Sequence, residues 1–305
     1  MKVSFQIGLK SALAVVVLLA SNGFGQRTPA KPAPKLTAKP IIFAVLNDGK
    51  MLEPIAYVEK GKLAEPVDGS DSSEILTAFS GQYYKAGTTY RLIFGGANAG
   101  TVTVDKFDRM ECGPNMAMAT TASTRANLKG NVMGLATNVV AKKTGSGVRR
   151  LPTWPERNEI DALVRAEYAK NQVEIKKLDY HNLTALDVNG DKKADLVGSF
   201  WVENDPKARV LLFFIAEKGA DGKYALRYSE LRAIKESEVM SGDITHLDEG
   251  VYHELLLDAF DYDGDGVSEI FTYVRSFEGA GFYVYRRGAD KWTREFEGSN
   301  YHCGY

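Results

Sequence analysis

The chain has little net charge, little histidine and little cysteine. Its 38 lysines and arginines are balanced by 39 aspartates and glutamates, which leaves a formal charge of −1. Nucleic-acid-binding domains normally carry a basic face and a high isoelectric point, so no nucleic acid is expected as a partner. The 305 residues are 44% hydrophobic and 25% charged. This composition is typical of a globular protein with one large domain or two of ordinary size.

Complete catalytic motifs are also missing. His253 and Glu254 begin a zinc-protease pattern, but Leu257 stands where the second zinc-binding histidine must be. Residues 145–147 form only part of a nucleophile elbow, and residues 95–100 lack the lysine of a phosphate-binding loop. The four histidines are scattered along the chain. The sequence therefore favours a role without catalysis.

The N-terminus has the pattern of a signal peptide over residues 1–25. Lys2 and Lys10 supply positive charge, residues 11–20 are apolar or small, and Gly23 and Gly25 fit a cleavage site. The apolar run is shorter than the roughly 20 residues that a membrane-spanning helix needs. A membrane anchor that is never cleaved is the alternative.

Export to the periplasm or the medium of a bacterial cell is the expected localisation. No later segment is long and apolar enough to span a membrane, so no membrane span is expected after signal cleavage. Residues 26–40 are rich in proline and basic residues, which predicts an extended linker.

The two cysteines, Cys112 and Cys303, are the only ones in the chain. In an oxidising compartment an even pair predicts one disulfide, which would tie the C-terminal segment to the middle of the chain. Two unpaired buried thiols are the alternative.

Residues 41–150 are expected to form an N-terminal β-rich region. The apolar run 41–46 is closed by a turn signal at 47–49, and residues 55–58 suit the returning strand. Two more strand-like runs, 90–94 and 101–104, flank a glycine-rich connection. Residues 113–150 have weak periodicity, and the sequence assigns them no structure.

One helix is predicted at the start of the C-terminal region, which spans residues 151–305. Thr153 or Trp154 can cap it, Pro155 suits its first turn, and Glu156 complements its N-terminal dipole. Apolar residues recur at helical spacing until about Asn171.

An internal repeat follows this helix. The segment LTALDVNGDKKADLVGSFWV, residues 183–202, matches LLDAFDYDGDGVSEIFTYVR, which begins at Leu256. A second match pairs residues 217–228 with residues 286–296. A hairpin-based unit built twice explains both matches.

Each repeat contains one acidic loop of the form D-x-[DN]-G-D-x-x-x-[DE]. Calcium takes six to eight oxygen ligands, and alternate positions of a tight loop can converge on one ion. The backbone carbonyl at position seven can complete the ligand set. In the first loop the expected ligands are Asp187, Asn189, Asp191, Lys193 and Asp195. In the second loop they are Asp261, Asp263, Asp265, Val267 and Glu269.

The two sites are expected to differ in affinity. The second loop has four carboxylates, whereas the first has three, one asparagine and two lysines. A tighter second site is therefore predicted. The alternative is that both are acidic turns without a metal.

The loops DVNGDKKADLV and DYDGDGVSEIF resemble the calcium loops of FG-GAP, or VCBS-type, repeats, as in the propeller of integrin α-subunits. The resemblance covers roughly residues 183–300. It implies that each loop joins two strands of a blade and binds a stabilising calcium ion. Only two copies are present, and the Phe-Gly and Gly-Ala-Pro signatures are not plain.

The expected fold is mainly β with at least one helix. It would contain blade-like hairpin repeats in an incomplete propeller-like or sandwich-like arrangement. The expected function is that of an exported calcium-binding module with a binding, adhesion or structural role, whose ligand is an unknown protein or carbohydrate. A secreted hydrolase of saccharide or peptide with structural calcium is the alternative, and a purely structural envelope protein is a third.

Overall fold

The computed structural model describes residues 37–107, 110–140 and 145–303. The predicted signal peptide and most of the predicted linker lie outside these residues. Strands take 48% of the structure and helices 13%, so the expected mainly β class is confirmed. Within the described ranges, no helix combines the length and the apolarity that crossing a membrane requires.

The N-terminal region forms a closed antiparallel sheet of six strands. Around the closed sheet the order is β1, β7, β4, β5, β6 and β2, and β2 pairs again with β1. A short seventh strand, β3, extends the sheet beside β2. The elements are β1 (Ile41–Leu46), β2 (Met51–Glu59), β3 (Lys62–Ala64), α1 (Ser73–Tyr83), β4 (Thr89–Phe94), β5 (Ala97–Lys106), β6 (Ala117–Ser123) and β7 (Gly134–Thr137).

Strand alternation gives this sheet two apolar faces. In β1, Phe43 and Val45 point into the closed interior, where Phe79 and Tyr83 of α1 also pack. The alternate residue Ile42 belongs to a different core on the outer face. All six residues of β1 are buried because both faces of the strand are covered.

The C-terminal region contains two antiparallel sheets and two helices. The first sheet has the order β12-β11-β10-β9-β8, and the second has the order β13-β14-β15-β16. The elements are β8 (Arg149–Arg150), α2 (Trp154–Lys170), β9 (Lys177–Leu186), β10 (Asp195–Asp205), β11 (Ala208–Lys218), β12 (Tyr224–Lys235), α3 (Thr245–Asp248), β13 (Glu254–Phe260), β14 (Glu269–Arg275), β15 (Gly279–Arg287) and β16 (Trp292–Tyr301).

These elements stack in four layers. One face of the first sheet packs against α2 through a core that includes Val164 and Phe214. Its other face packs against the second sheet, where Phe213 and Tyr285 stack at 5.4 Å between ring centroids. The far face of the second sheet packs on the outer face of the closed sheet.

The predicted helix is α2, and its start follows the capping signals. The backbone N–H of Thr153 donates to the carboxylate of Glu156 at 2.7 Å. Arg150 donates two hydrogen bonds to the same carboxylate, and these lower the pKa of Glu156 to about 2. Asn171 follows the last helical residue, as the sequence predicts.

Two long-range links join the C-terminal chain to the closed sheet. The predicted disulfide between Cys112 and Cys303 is present. Beside it, the fully buried carboxylate of Glu53 accepts a hydrogen bond from Asn300 at 2.8 Å and lies 2.6 Å from Nε2 of His302. The C-terminal segment is therefore fixed by a covalent bond and by a polar network.

Candidate metal centre

The two acidic loops occupy equivalent places in the two C-terminal sheets. The first loop (187–195) joins β9 to β10, and the second loop (261–269) joins β13 to β14. In each case the loop connects the first two strands of a four-strand antiparallel meander. The sequence repeat is therefore also a repeat in topology.

The internal hydrogen bonds of the two loops correspond position by position. In both, the position-one aspartate accepts from the backbone N–H groups at positions four and six, at 2.7–3.1 Å. The side chain at position three accepts from the N–H at position five at 3.0 Å. The position-five aspartate accepts from the N–H at position seven at 2.8 Å. The polar side chains thus hold each loop in a tight coil.

Backbone conformation explains the glycine at position four. Gly190 and Gly264 have φ values of +78° and +77°, in the left-handed region that favours glycine. Position six is also left-handed, with φ of +65° at Lys192 and +95° at Gly266. A side chain at this position costs energy, so the first loop carries a strain that the second avoids.

Three carboxylates converge in each loop, with oxygens within 4.8 Å of one another. The first group contains Asp187, Asp191 and Asp195, and the second contains Asp261, Asp263 and Asp265. Glu269 is not part of the second group. Of the remaining predicted ligands, Asn189, Lys193 and Val267 lie in the same coils, where the first accepts and the other two donate the hydrogen bonds described above.

Glu269 is the most unusual side chain of the centre. It is fully buried, and neither carboxylate oxygen accepts a well-formed hydrogen bond. Burial, reinforced by the charge of Asp263, raises the pKa of Glu269 to about 8. A buried carboxylate without partners is costly unless a cation compensates it.

Arg286 of β15 supplies one such cation. Its guanidinium donates to Asp263 and, at 2.8 Å, to Asp265, and it lies 3.3 Å from Oε1 of Glu269. Glu295 of β16 is a fourth carboxylate at 3.3 Å. Carboxylates of the second loop are therefore already paired with a positive charge from β15, which the loop motif does not predict.

The first loop is compensated differently. Asp195 is fully buried, but its two oxygens accept hydrogen bonds from the backbone N–H groups of Val188 and Lys218. Burial nevertheless raises the pKa of Asp195 to about 7. Nζ of Lys193 lies 3.6 Å from Asp191, and Arg287 is close enough to the first loop that the charge of Asp195 adds to the effect of Glu217 in raising the pKa of Arg287.

The repeat itself contained a signal for Arg286. Aligning residues 217–228 with residues 286–296 places Glu217 opposite Arg286. Glu217 is buried beside the first loop, where its charge raises the pKa of Asp195. It is paired with Arg287, at 2.6 Å, and with the indole N–H of Trp292. The two repeats thus carry opposite charges at one structural position.

The two loops also line one common cavity of about 300 Å³. Asp187 and Asn189 contribute to it from the first loop, and Asp261 and Ser268 from the second. Ser146, in the segment before β8, forms another part of the wall. The repeats therefore place their acidic loops next to each other.

The donor set fits a hard divalent cation. Each loop offers carboxylate oxygens, and the first adds an amide oxygen, whereas zinc sites are built mainly from thiolate and imidazole. The carboxylates of Asp187, Asp191 and Asp195 would hold an ion in the first loop. In the second loop, Asp261, Asp263 and Asp265 would do so, and Glu269 adds a buried carboxylate at the last position of the loop.

A second polar cluster lies at the end of the layer between the two C-terminal sheets. Glu254 is partly buried there and accepts hydrogen bonds from Thr272 at 2.6 Å and Tyr285 at 2.7 Å. Burial raises the pKa of Glu254 to about 7. In the same region, Oγ of Ser199 lies 3.3 Å from Nδ1 of the fully buried His253.

No protein-family model, characterised protein or solved structure matches this chain. The resemblance to FG-GAP repeats therefore depends on the two loop motifs and on their flanking strands.

Proposed function

We propose that the protein is an exported calcium-binding module in which two calcium ions lock the loops between paired strands. Its role would be binding, adhesion or structure, with a protein or carbohydrate as the ligand. Glu269 carries the calcium proposal: it is a fully buried carboxylate without a well-formed hydrogen bond, and it shares its ion-pair partner, Arg286, with two of the three converging aspartates. The disulfide supports export, because such bonds persist mainly in oxidising compartments.

Bound calcium would stabilise the folded chain, because it keeps the carboxylates of each loop ionised and close together. An ion that binds only the folded chain stabilises it by mass action, in proportion to the logarithm of its concentration over its dissociation constant. Calcium modules of extracellular proteins bind in the range of about 10⁻⁴–10⁻³ M. The coils described above orient the aspartates before an ion arrives, which lowers the entropic cost of binding.

The hydrolase alternative has weaker support. The pKa of Glu254 is raised, as expected of a general acid, and His253 is buried beside it. However, the cavity that Glu254 lines has a volume of about 50 Å³, which is room for a few water molecules and not for a sugar residue. A substrate therefore has no evident path to this carboxylate.

Calorimetric titration of calcium into the full, chelator-stripped chain tests the proposal, together with thermal unfolding at increasing calcium. We expect two bound ions and a melting temperature that rises with calcium. Asp263→Ala should remove one of the two ions, whereas Asp290→Ala, an exposed acidic residue outside both loops, should remove none. Absence of both heat and thermal shift at millimolar calcium would refute the proposal.

A further inference from the structure

One sizeable cavity lies away from both acidic loops. It has a volume of about 540 Å³, within the range of small-ligand sites. One wall is the outer face of the closed sheet, at the turn between β1 and β2. The opposite wall is formed by β13, the end of β14 and the residues that follow α3. The cavity therefore spans the junction between the N-terminal and C-terminal regions.

Methionines form much of the apolar wall. Met51 of β2 and Met118 of β6 are directly opposed across their strand pair, and Met133 lies just before β7. Tyr273 and Leu255 face them from the second sheet. Methionine is flexible and polarizable, and it is common at surfaces that accept varied apolar side chains.

The cavity also contains two cations without a carboxylate partner. Among the described residues, Lys50 makes no ion pair, and neither does Arg275, which donates only to the backbone carbonyl of Glu249 at 3.3 Å. The two carboxylates of the cavity are partly engaged. Asp48 accepts from the N–H of Gly130 at 3.0 Å, and the carboxylate of Glu249 lies 3.6 Å from His246. Two cations and two carboxylates thus line the cavity, and Lys50 and Arg275 are open to an anionic group of a ligand.

A second cavity of about 300 Å³ adjoins the first and shares Asp48 and Lys50 with it. Its walls are mostly polar, with Thr121, Ser123 and Asn127 among them. A cavity with one methionine-rich apolar wall therefore continues into a polar groove. An extended peptide fits an apolar wall that leads into a polar groove better than an acyl chain does, because an acyl chain would gain little from the polar groove.

We propose that this cavity binds the C-terminal end of a peptide whose last side chain is apolar. The terminal carboxylate pairs with Arg275, and Lys50 adds positive charge where the two cavities meet. The last side chain packs on the methionine wall, and the preceding residues run into the polar groove. Because this site shares no residue with the acidic loops, the proposal is independent of calcium binding.

Fluorescence anisotropy tests this with a labelled pentapeptide, Gly-Ser-Ala-Phe-Leu, prepared with a free C-terminal carboxylate and as the C-terminal amide. We expect the acid to bind at least tenfold more tightly than the amide. Arg275→Gln should reduce that difference to less than twofold, because a neutral side chain no longer distinguishes the two ends. Arg165→Gln, an exposed arginine on α2, is the matched control and should preserve it.

Two further arms complete the experiment. Met118→Glu places a charge in the methionine wall at a half-exposed position that tolerates substitution, and it should weaken binding of the acid at least fivefold. Decanoate presents a carboxylate on an acyl chain and should compete more weakly than the unlabelled peptide. Equal affinity for acid and amide, no binding, or tighter binding of decanoate would overturn the proposal.

Discussion

Nη2 of Arg286 lies 3.3 Å from Oε1 of Glu269, the last residue of the second loop. An arginine of β15 thus reaches the place where four carboxylates meet, and its charge competes with that of any bound cation. This ion pair works against the predicted tighter calcium binding of the second loop. The second loop has more carboxylates, but Arg286 forms ion pairs with three of them. The larger number of carboxylates and the charge of Arg286 therefore have opposite effects on the calcium affinity of the second loop.

Arg286→Gln should raise the calcium affinity of the second loop about tenfold, because it removes a positive charge a few ångströms from the ion. In chelator the same variant should be less stable than the parent, since the carboxylates then repel each other without compensation. Calorimetry and thermal unfolding measure the two effects. Arg227→Gln, near Glu217 on the first sheet, is the control. Unchanged affinity would show that Arg286 leaves the site freely when calcium binds.

Lys192→Gly should stabilise the first loop, because the lysine has a positive φ of +65° at a position where the second loop has glycine. Relief of left-handed strain is worth about 1 kcal/mol, reduced by the greater freedom of glycine in the unfolded chain. Chemical denaturation in chelator measures it. Lys192→Gln removes the charge and keeps the strain, so it should not reproduce the gain. Gly266→Lys should destabilise the second loop for the same reason.

Glu254→Gln should change how stability depends on pH. The folded-state pKa of Glu254 is raised from 4.5 to about 7, so its contribution is complete below pH 4.5 and is lost as pH rises through 7. At pH 8 the variant should be more stable than the parent by roughly 3 kcal/mol, with little difference at pH 4. Denaturant unfolding across this range measures it.

The pH dependence of the parent's stability does not by itself isolate the effect of Glu254. His253 lies next to Glu254 in the chain, and burial lowers its pKa to about 3, so its contribution is lost as pH falls below 6.5. The two residues therefore act in opposite directions over the same range. A difference between parent and Glu254→Gln that is constant from pH 4 to pH 8 would contradict the prediction.

Replacing both cysteines by serine should cost about 5 kcal/mol, since the bridge from Cys112 closes a loop over 191 positions. This figure assumes that the bond acts by restricting the unfolded chain. Denaturant unfolding of the double variant, compared with the oxidised parent, provides the measurement. If the reduced parent and the oxidised parent are equally stable, the hydrogen bonds of Glu53 are sufficient to hold the C-terminal segment.

Local signals predicted the elements whose structure is decided locally. The turn after β1 and the capping of α2 were readable because a few adjacent residues specify them. The loop motifs were readable because their ligands alternate along a short segment. The glycine-rich connection between β4 and β5 was expected to cover residues 95–100, but the hairpin turns at Gly95 and Gly96. Asp258, a distant residue, accepts both of their N–H groups and fixes that turn.

Elements that depend on distant partners were not predicted. Strands β6 and β7 consist largely of alanine, threonine and glycine, and they become strands because the closed sheet needs them to complete its pairing. Helix α1 contains Gly81 and has no capping box. Its apolar residues do recur at helical spacing. Arg286 acts on a loop that ends 17 positions earlier in the chain, and only the alignment of the repeats pointed to it.

The closed sheet leaves β1 no free side, because it pairs with both β2 and β7, whereas each C-terminal meander ends in a strand with one free side. Such edge strands can recruit a strand from another copy and begin aggregation. The edge strand β12 carries charged residues of both signs, namely Arg227, Glu230, Arg232 and Lys235. A second copy that approached along this edge would have to desolvate these charges. The charged residues of β12 thus disfavour self-association. Apolar substitutions at these four positions should lower the solubility of the protein more than its free energy of unfolding.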